Sequence, residues 1–132
     1  MRPKKKILLA GENAVTLGIL KFLLECNGYA PTVAHSDTEA YARLADGLFE
    51  LMICEKPLAD TEVFIREVKG LYPYMPTIFL FHYHKEIYSG YADVSLYNPT
   101  TVELLERVKI MSMRKRGPRK GSSFKPRELA IA

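Results

Sequence analysis

Residues 49–57 read FELMICEKP, from Phe49 to Pro57, and the fold follows from how this stretch is taken. Four apolar residues, Leu51 to Cys54, lie between Glu50 and Glu55, and Lys56 and Pro57 close the run. A short apolar run between turn signals reads as a strand covered on both faces, the pattern of a parallel sheet. Its last residue is a carboxylate at a strand's C-terminal end. Open α/β sheets build their ligand sites along that edge. Glu55 is therefore the residue a functional account has to explain.

Working outward, units of the same kind recur on both sides. Lys6 to Ala10 reads as strand one, and Asn13 can cap a helix over Ala14 to Cys26 that Asn27-Gly28 ends. Val15, Ile19, Leu20, Leu23 and Leu24 recur at helical spacing there. Tyr29 to Ala34 is a second strand, with Pro31 pointing to an edge position. Ser36 and Glu39 sit at the spacing of a capping box, so a helix runs from there to about Asp46 and stops at Gly47. After the opening stretch, Asp60 or Thr61 caps a third helix to about Leu71, with Val63, Phe64 and Val68 inward. Thr77 to Phe81 is strand four, and residues 82–90 hold at most a short helix. Ala92 to Leu96 is strand five. Thr100 and Glu103 form another capping box before a last helix to Met113, whose stripe is Leu104, Leu105, Val108 and Met111. Repeated strand–helix units predict a parallel sheet with helices on both faces. The flavodoxin-like three-layer (βα)5 sandwich, with strand order 2-1-3-4-5, is the topology expected at this length.

The chain has 132 residues, 48% hydrophobic and 26% charged, in keeping with one soluble domain. No apolar run reaches the ~20 residues of a membrane span. Cys26 and Cys54 are the only cysteines, and two buried thiols in a reduced cytoplasmic protein is the economical expectation. The net charge of +4 hides an asymmetry: residues 114–132 carry seven basic groups and one acid, whereas residues 7–113 are net acidic. The expected organisation is a domain over 1–113 and a basic, exposed, flexible tail over 114–132.

The order KKILLAGEN, helix, FELMICEKP, PTIFLF, then ADVSLYNP and a helix resembles the receiver domain of bacterial response regulators over residues 4 to about 113. The resemblance implies a phospho-accepting aspartate at the end of strand three and an acid pair after strand one that helps it hold Mg²⁺. It also implies a hydroxyl ending strand four and a lysine before the proline after strand five. Three acids suit a hard cation, and the metal and lysine would neutralise the phosphoryl group in transfer. This chain departs at most of those positions. The phospho-acceptor position holds Glu55, the acid pair is Gly11 and Glu12, the hydroxyl is Phe81, and the lysine is Asn98. The aromatic switch position holds Ser95, with Tyr97 two residues on.

The resemblance and these departures together imply a pseudo-receiver: a signalling module, not an enzyme, acting by phosphorylation-independent protein–protein contact in a two-component-like system. Two alternatives stand beside it, a genuine Mg²⁺-dependent phospho-acceptor and a regulator that binds nucleic acid through its tail. No cofactor is expected, although Glu12 and Glu55 with waters could hold Mg²⁺. Tyr88, Tyr91 and Tyr97 belong to a tyrosine cluster of the kind found in interface cores. The resemblance points to the same side, so a protein partner or a homodimer is expected on the face made by residues 82–90, strand five and the last helix. Arg114, Lys115, Arg116, Arg119 and Lys120 would give any nucleic-acid contact a nonspecific, salt-sensitive character. His82 and His84 share a face of an extended segment, but a structural zinc site needs four ligands.

Overall fold

The computed structural model describes residues 4–55, 58–81 and 91–113, and for Leu58 to Thr61 the backbone alone. The short helix expected over 82–90, His82, His84, Tyr88 and the basic tail lie outside the described residues.

Local signals set most of the element ends. Asn13 is extended, and its side chain accepts from the backbone N–H groups of Val15 and Thr16, so α1 (Ala14–Cys26) starts there. It stops at Asn27, and Gly28 takes φ +89°, a left-handed conformation that costs glycine little. In α2 (Asp37–Asp46), Ser36 Oγ accepts from Glu39 N–H, while the Glu39 carboxylate accepts from His35 N–H at 2.8 Å. That backbone donor holds the Glu39 carboxyl below the usual carboxylate range. The box before α4 (Thr101–Met113) is reciprocal. Thr100 N–H donates to Glu103 Oε1 at 2.8 Å, and Glu103 N–H donates to Thr100 Oγ1 at 3.1 Å.

The third helix departs from expectation. α3 spans Leu58–Leu71, beginning only three residues after Glu55 rather than at a cap on Asp60 or Thr61.

The strands are β1 (Lys5–Gly11), β2 (Tyr29–Ala34), β3 (Leu51–Glu55), β4 (Thr77–Phe81) and β5 (Val94–Tyr97). They form one parallel sheet in the order β2-β1-β3-β4-β5, so β3 is central and Pro31 lies on an edge, as expected. Residues alternate between two cores. Leu8, Met52, Cys54 and Phe79 pack with α2 and α3, whereas Ile7, Leu9, Leu51, Ile53 and Ile78 pack with α1 and α4. Each fully buried side chain of this size contributes about 2 kcal/mol relative to exposure.

In two helices the buried side differs from the apolar residues that spacing picks out. The buried side of α1 is Leu17, Leu20 and Leu24, with Leu23 partly buried, whereas Val15 and Ile19 are exposed. In α3, Phe64, Ile65 and Val68 face inward and Val63 does not. Both segments are apolar around much of their circumference, so period alone could not choose the face. Cys26 is exposed and only Cys54 is buried, which corrects the expectation of two buried thiols.

Two contacts fix the ends of the sheet opposite the site. Lys5 Nζ donates to Ser112 O at 2.7 Å, placing a cation at the C-terminal end of α4 where the helix dipole favours it. Lys6 Nζ lies 5.4 Å from the centre of the Phe49 ring, a cation–π contact that ties β1 to the entry of β3. Before β5, Asp93 Oδ2 accepts from Thr77 N–H and from Lys69 Nζ, each at 2.8 Å, and Lys69 Nζ also donates to Met75 O. Asp93 thereby joins α3, β4 and β5 at one point.

Candidate functional site

The C-terminal edge of the central strands brings Gly11 and Glu55 together as register partners on β1 and β3. The approach is close. A Cβ added at Gly11 would lie 2.5 Å from the Glu55 carbonyl oxygen, 3.1 Å from Glu55 Oε1 and 3.2 Å from Leu17 Cδ2. The first contact is to backbone and cannot be relieved by a rotamer change. Residue 11 therefore has to be glycine for this strand pairing to stand, and the Glu55 carboxylate lies close over it. Oε1 of Glu55 is buried, and the residue has further interactions. Glu12, the next residue, is exposed.

Phe81 lies on the other face of the sheet. It packs against the α2–α3 core and stacks on Phe79, with centroids 5.6 Å apart and planes 14° apart. Its register partner Tyr97 lies 5.3 Å away at 38°. Offset ring pairs of this kind add about 1 kcal/mol each beyond their buried area. The position read as the hydroxyl is thus one rung of an aromatic ladder. Asn98 N–H donates to Phe81 O at 2.9 Å, and Asn98 adopts φ 41°. Among non-glycine residues, asparagine enters that left-handed region at least cost, so asparagine suits the backbone here better than lysine would. Ser95 pairs in register with Phe79.

The outer side of β5 and α4 forms an open groove of about 470 Å³, lined by Ser95 and Tyr97 from the strand and Glu103, Glu106, Arg107 and Ile110 from the helix. Tyr91 and Tyr97 are both on the surface.

No family model matches the sequence, and no curated protein matches it significantly. Solved structures do match. The CheY-like receiver domain protein of Methanospirillum hungatei JF-1 gives a TM-score of 0.73 at 24% identity, over 84% of this chain and 95% of that one. The response regulator TrrA of Thermotoga maritima, in complex with Mg²⁺–BeF, gives 0.72 at 24% identity, over 81% and 98%. The signal receiver domain of an HD domain-containing protein from Pseudomonas fluorescens Pf-5 gives 0.74 at 24% identity, over 86% and 90%. This chain has the receiver-domain fold.

On the receiver fold the departures acquire positions. The first acid of the pair would stand at Gly11, where the β1–β3 approach leaves no space for a Cβ. Among the described residues, no three His, Cys, Asp or Glu side chains group so that they could hold a metal ion. The residues at this edge do not fit a three-acid Mg²⁺ site, because the first acid position is Gly11 and only Glu12 and Glu55 remain there. The structure brings together Gly11 with Glu55, and Phe81 with Tyr97, and strand alternation puts these two pairs on opposite faces of the sheet, while Asn98 joins Phe81 through a backbone hydrogen bond. Sequence reasoning missed Leu17, which packs close to Gly11 at this edge. Its spacing from Leu20 and Leu24, i to i+3 and i+7, was the available signal.

Proposed function

We propose that this chain is a receiver-like signalling module that works by phosphorylation-independent protein–protein contact, in a two-component-like regulatory system, and is not an enzyme. The observation that carries this reading is the Gly11–Glu55 approach. With no room for an acid at 11, the pocket keeps only Glu12 and Glu55 of the receiver acid set. Glutamate also sets its carboxylate one methylene further out than aspartate, and a misplacement of about 1 Å in an in-line transfer costs on the order of 100-fold. Asn98 supplies no positive charge, so the leaving and transferring oxygens would lack that stabilisation as well.

The surface that remains for signalling is the β5–α4 side. Its exposed Tyr97, the exposed Tyr91 before β5 and the open groove supply the large amphipathic side chains that interface cores favour. A protein partner docks there in this reading, and the output of the module is occupancy of that face.

Incubation with acetyl phosphate and Mg²⁺, followed by intact-mass measurement, tests the phosphorylation claim. The expected result is an unchanged mass. A stoichiometric gain of about 80 Da, the mass of one phosphoryl group, that disappears in Glu55→Gln would establish a phospho-acceptor and sink the proposal.

A further inference from the structure

The chain has three asparagines, Asn13, Asn27 and Asn98. An asparagine loses its side-chain amide when the next backbone nitrogen attacks its Cγ, and the three differ in whether that nitrogen can. Asn98 precedes Pro99, whose nitrogen carries no hydrogen to give up. Asn13 is held by its capping role: Oδ1 accepts from the N–H groups of Val15 and Thr16, and Ala14 begins α1. Asn27 precedes Gly28, the residue type that hinders attack least because it has no side chain. Both are exposed at the end of α1, and a Cβ added at Gly28 would meet nothing within 4 Å.

The folded junction resists the reaction. At ψ 18° the Gly28 nitrogen lies beside the backbone nitrogen of Asn27, turned away from its Cβ. Gly28 N–H donates to Glu25 O at 3.2 Å, and Asn27 Nδ2 donates to Leu23 O at 2.8 Å. Attack needs a swing about the Asn27 Cα–C bond, which breaks the first bond, and release of the side-chain amide, which breaks the second. The turn that must open is weakly held. It contains no basic residue, and Glu25 sets its charge against the helix dipole there. The ion pair of Glu25 with Lys21, at 2.8 Å, is exposed and adds little.

We infer that Asn27–Gly28 is a spontaneous deamidation site whose rate is set by opening of the last turn of α1. Once the turn is open, the Gly28 nitrogen gives its proton to solvent base and bonds to Asn27 Cγ. The Cγ–Nδ2 bond breaks, and ammonia leaves with a proton from solvent. Water then opens the five-membered imide at one of its two carbonyls. One product is aspartate. The other is isoaspartate, in which the main chain runs on through the side-chain carbon and is longer by one methylene. Either product places a carboxylate near Glu25 at the helix end and removes the donor to Leu23 O. The longer main chain falls just before Tyr29, which pairs with Lys5 to begin the edge strand β2. The converted protein is expected to melt about 4 °C lower than the parent.

Incubation of the full chain at mildly alkaline pH tests the assignment, with peptide mapping that separates the asparagine, aspartate and isoaspartate forms. Conversion is expected first at Asn27. It should run about 10- to 100-fold more slowly than in the same chain unfolded in urea, the range for an opening that breaks a few exposed hydrogen bonds. Glu25→Gly and Glu25→Ala both lack the carboxylate and differ in helix propensity. The glycine variant is expected to convert about fivefold faster than the alanine variant when folded, and at the same rate in urea. Conversion first at Asn13, or a folded rate equal to the urea rate, overturns the proposal. So does an intact Asn27 after about 100 half-lives of the urea reaction, or equal folded rates for the two variants.

Discussion

Gly11→Asp is expected to destabilise the protein by about 3 kcal/mol, in the upper range for overpacked sites, or roughly 10 °C in thermal midpoint for a domain of this size. The substitution restores the acid that the receiver resemblance calls for, yet it places a Cβ 2.5 Å from the Glu55 carbonyl oxygen. Carbon and oxygen cannot approach so closely, so β1 and β3 must separate at the edge where Gly11 and Glu55 pair. Separation there disturbs the centre of the sheet, because β3 also carries the ladder to β4. Gly11→Ala isolates the Cβ from the charge and should retain most of the loss. Urea unfolding followed by circular dichroism measures both. If Gly11→Ala falls within about 0.5 kcal/mol of the parent, the range of a neutral surface change, the close-approach argument is wrong.

Asp93→Ala is expected to cost about 2–3 kcal/mol. Asp93 Oδ2 accepts from the backbone of Thr77, which is fully buried, and from Lys69 Nζ. Removing the carboxylate leaves the Thr77 N–H without that acceptor and takes from Lys69 its counter-charge, leaving it the Met75 carbonyl. The carboxylate is partly exposed, so water replaces some of what is lost and the estimate stays below that for a fully buried pair. Asp93→Asn keeps an acceptor without the charge and should lie between the two. Equal stability of all three proteins in chemical denaturation would show that the Lys69–Asp93–Thr77 junction contributes nothing.

Much of this architecture was legible in the residues. The run Leu51 to Cys54 announced a doubly covered strand, and alternation placed Cys54 in the core and Glu55 at the rim. Caps at Asn13, Ser36 and Thr100 set helix starts to within a residue, because a side-chain acceptor at a fixed offset is a local interaction. What failed was long-range. Val15 and Ile19 look like core residues by spacing, and only the position of the sheet decides that Leu17 takes their place. Asp93 gave no local sign of its role, since its partners Lys69 and Thr77 are 24 and 16 residues away.

The arrangement at the sheet edge was not legible in the sequence. Gly11, Glu55, Phe81 and Asn98 were each named by mapping the receiver resemblance onto the strand ends. The sequence held no hint that Gly11 is fixed by backbone approach. Nor did it show that Phe81 is held between Phe79 and Tyr97, or that Asn98 adopts a left-handed backbone. These are consequences of register and pairing distance, which no window of residues contains. They turn three missing groups into a site whose replacements are built into the packing.

Backbone amide NMR with Mg²⁺ and beryllofluoride, which mimic the metal and the phosphoryl group, tests the central claim most directly. In the proposed reading, with no room for an acid at Gly11, the amides of Gly11, Glu12, Glu55, Phe81, Tyr97 and Asn98 should not move as both reagents are added. Saturable shifts concentrated on those residues, dependent on both reagents together, would show an open receiver pocket and contradict the account.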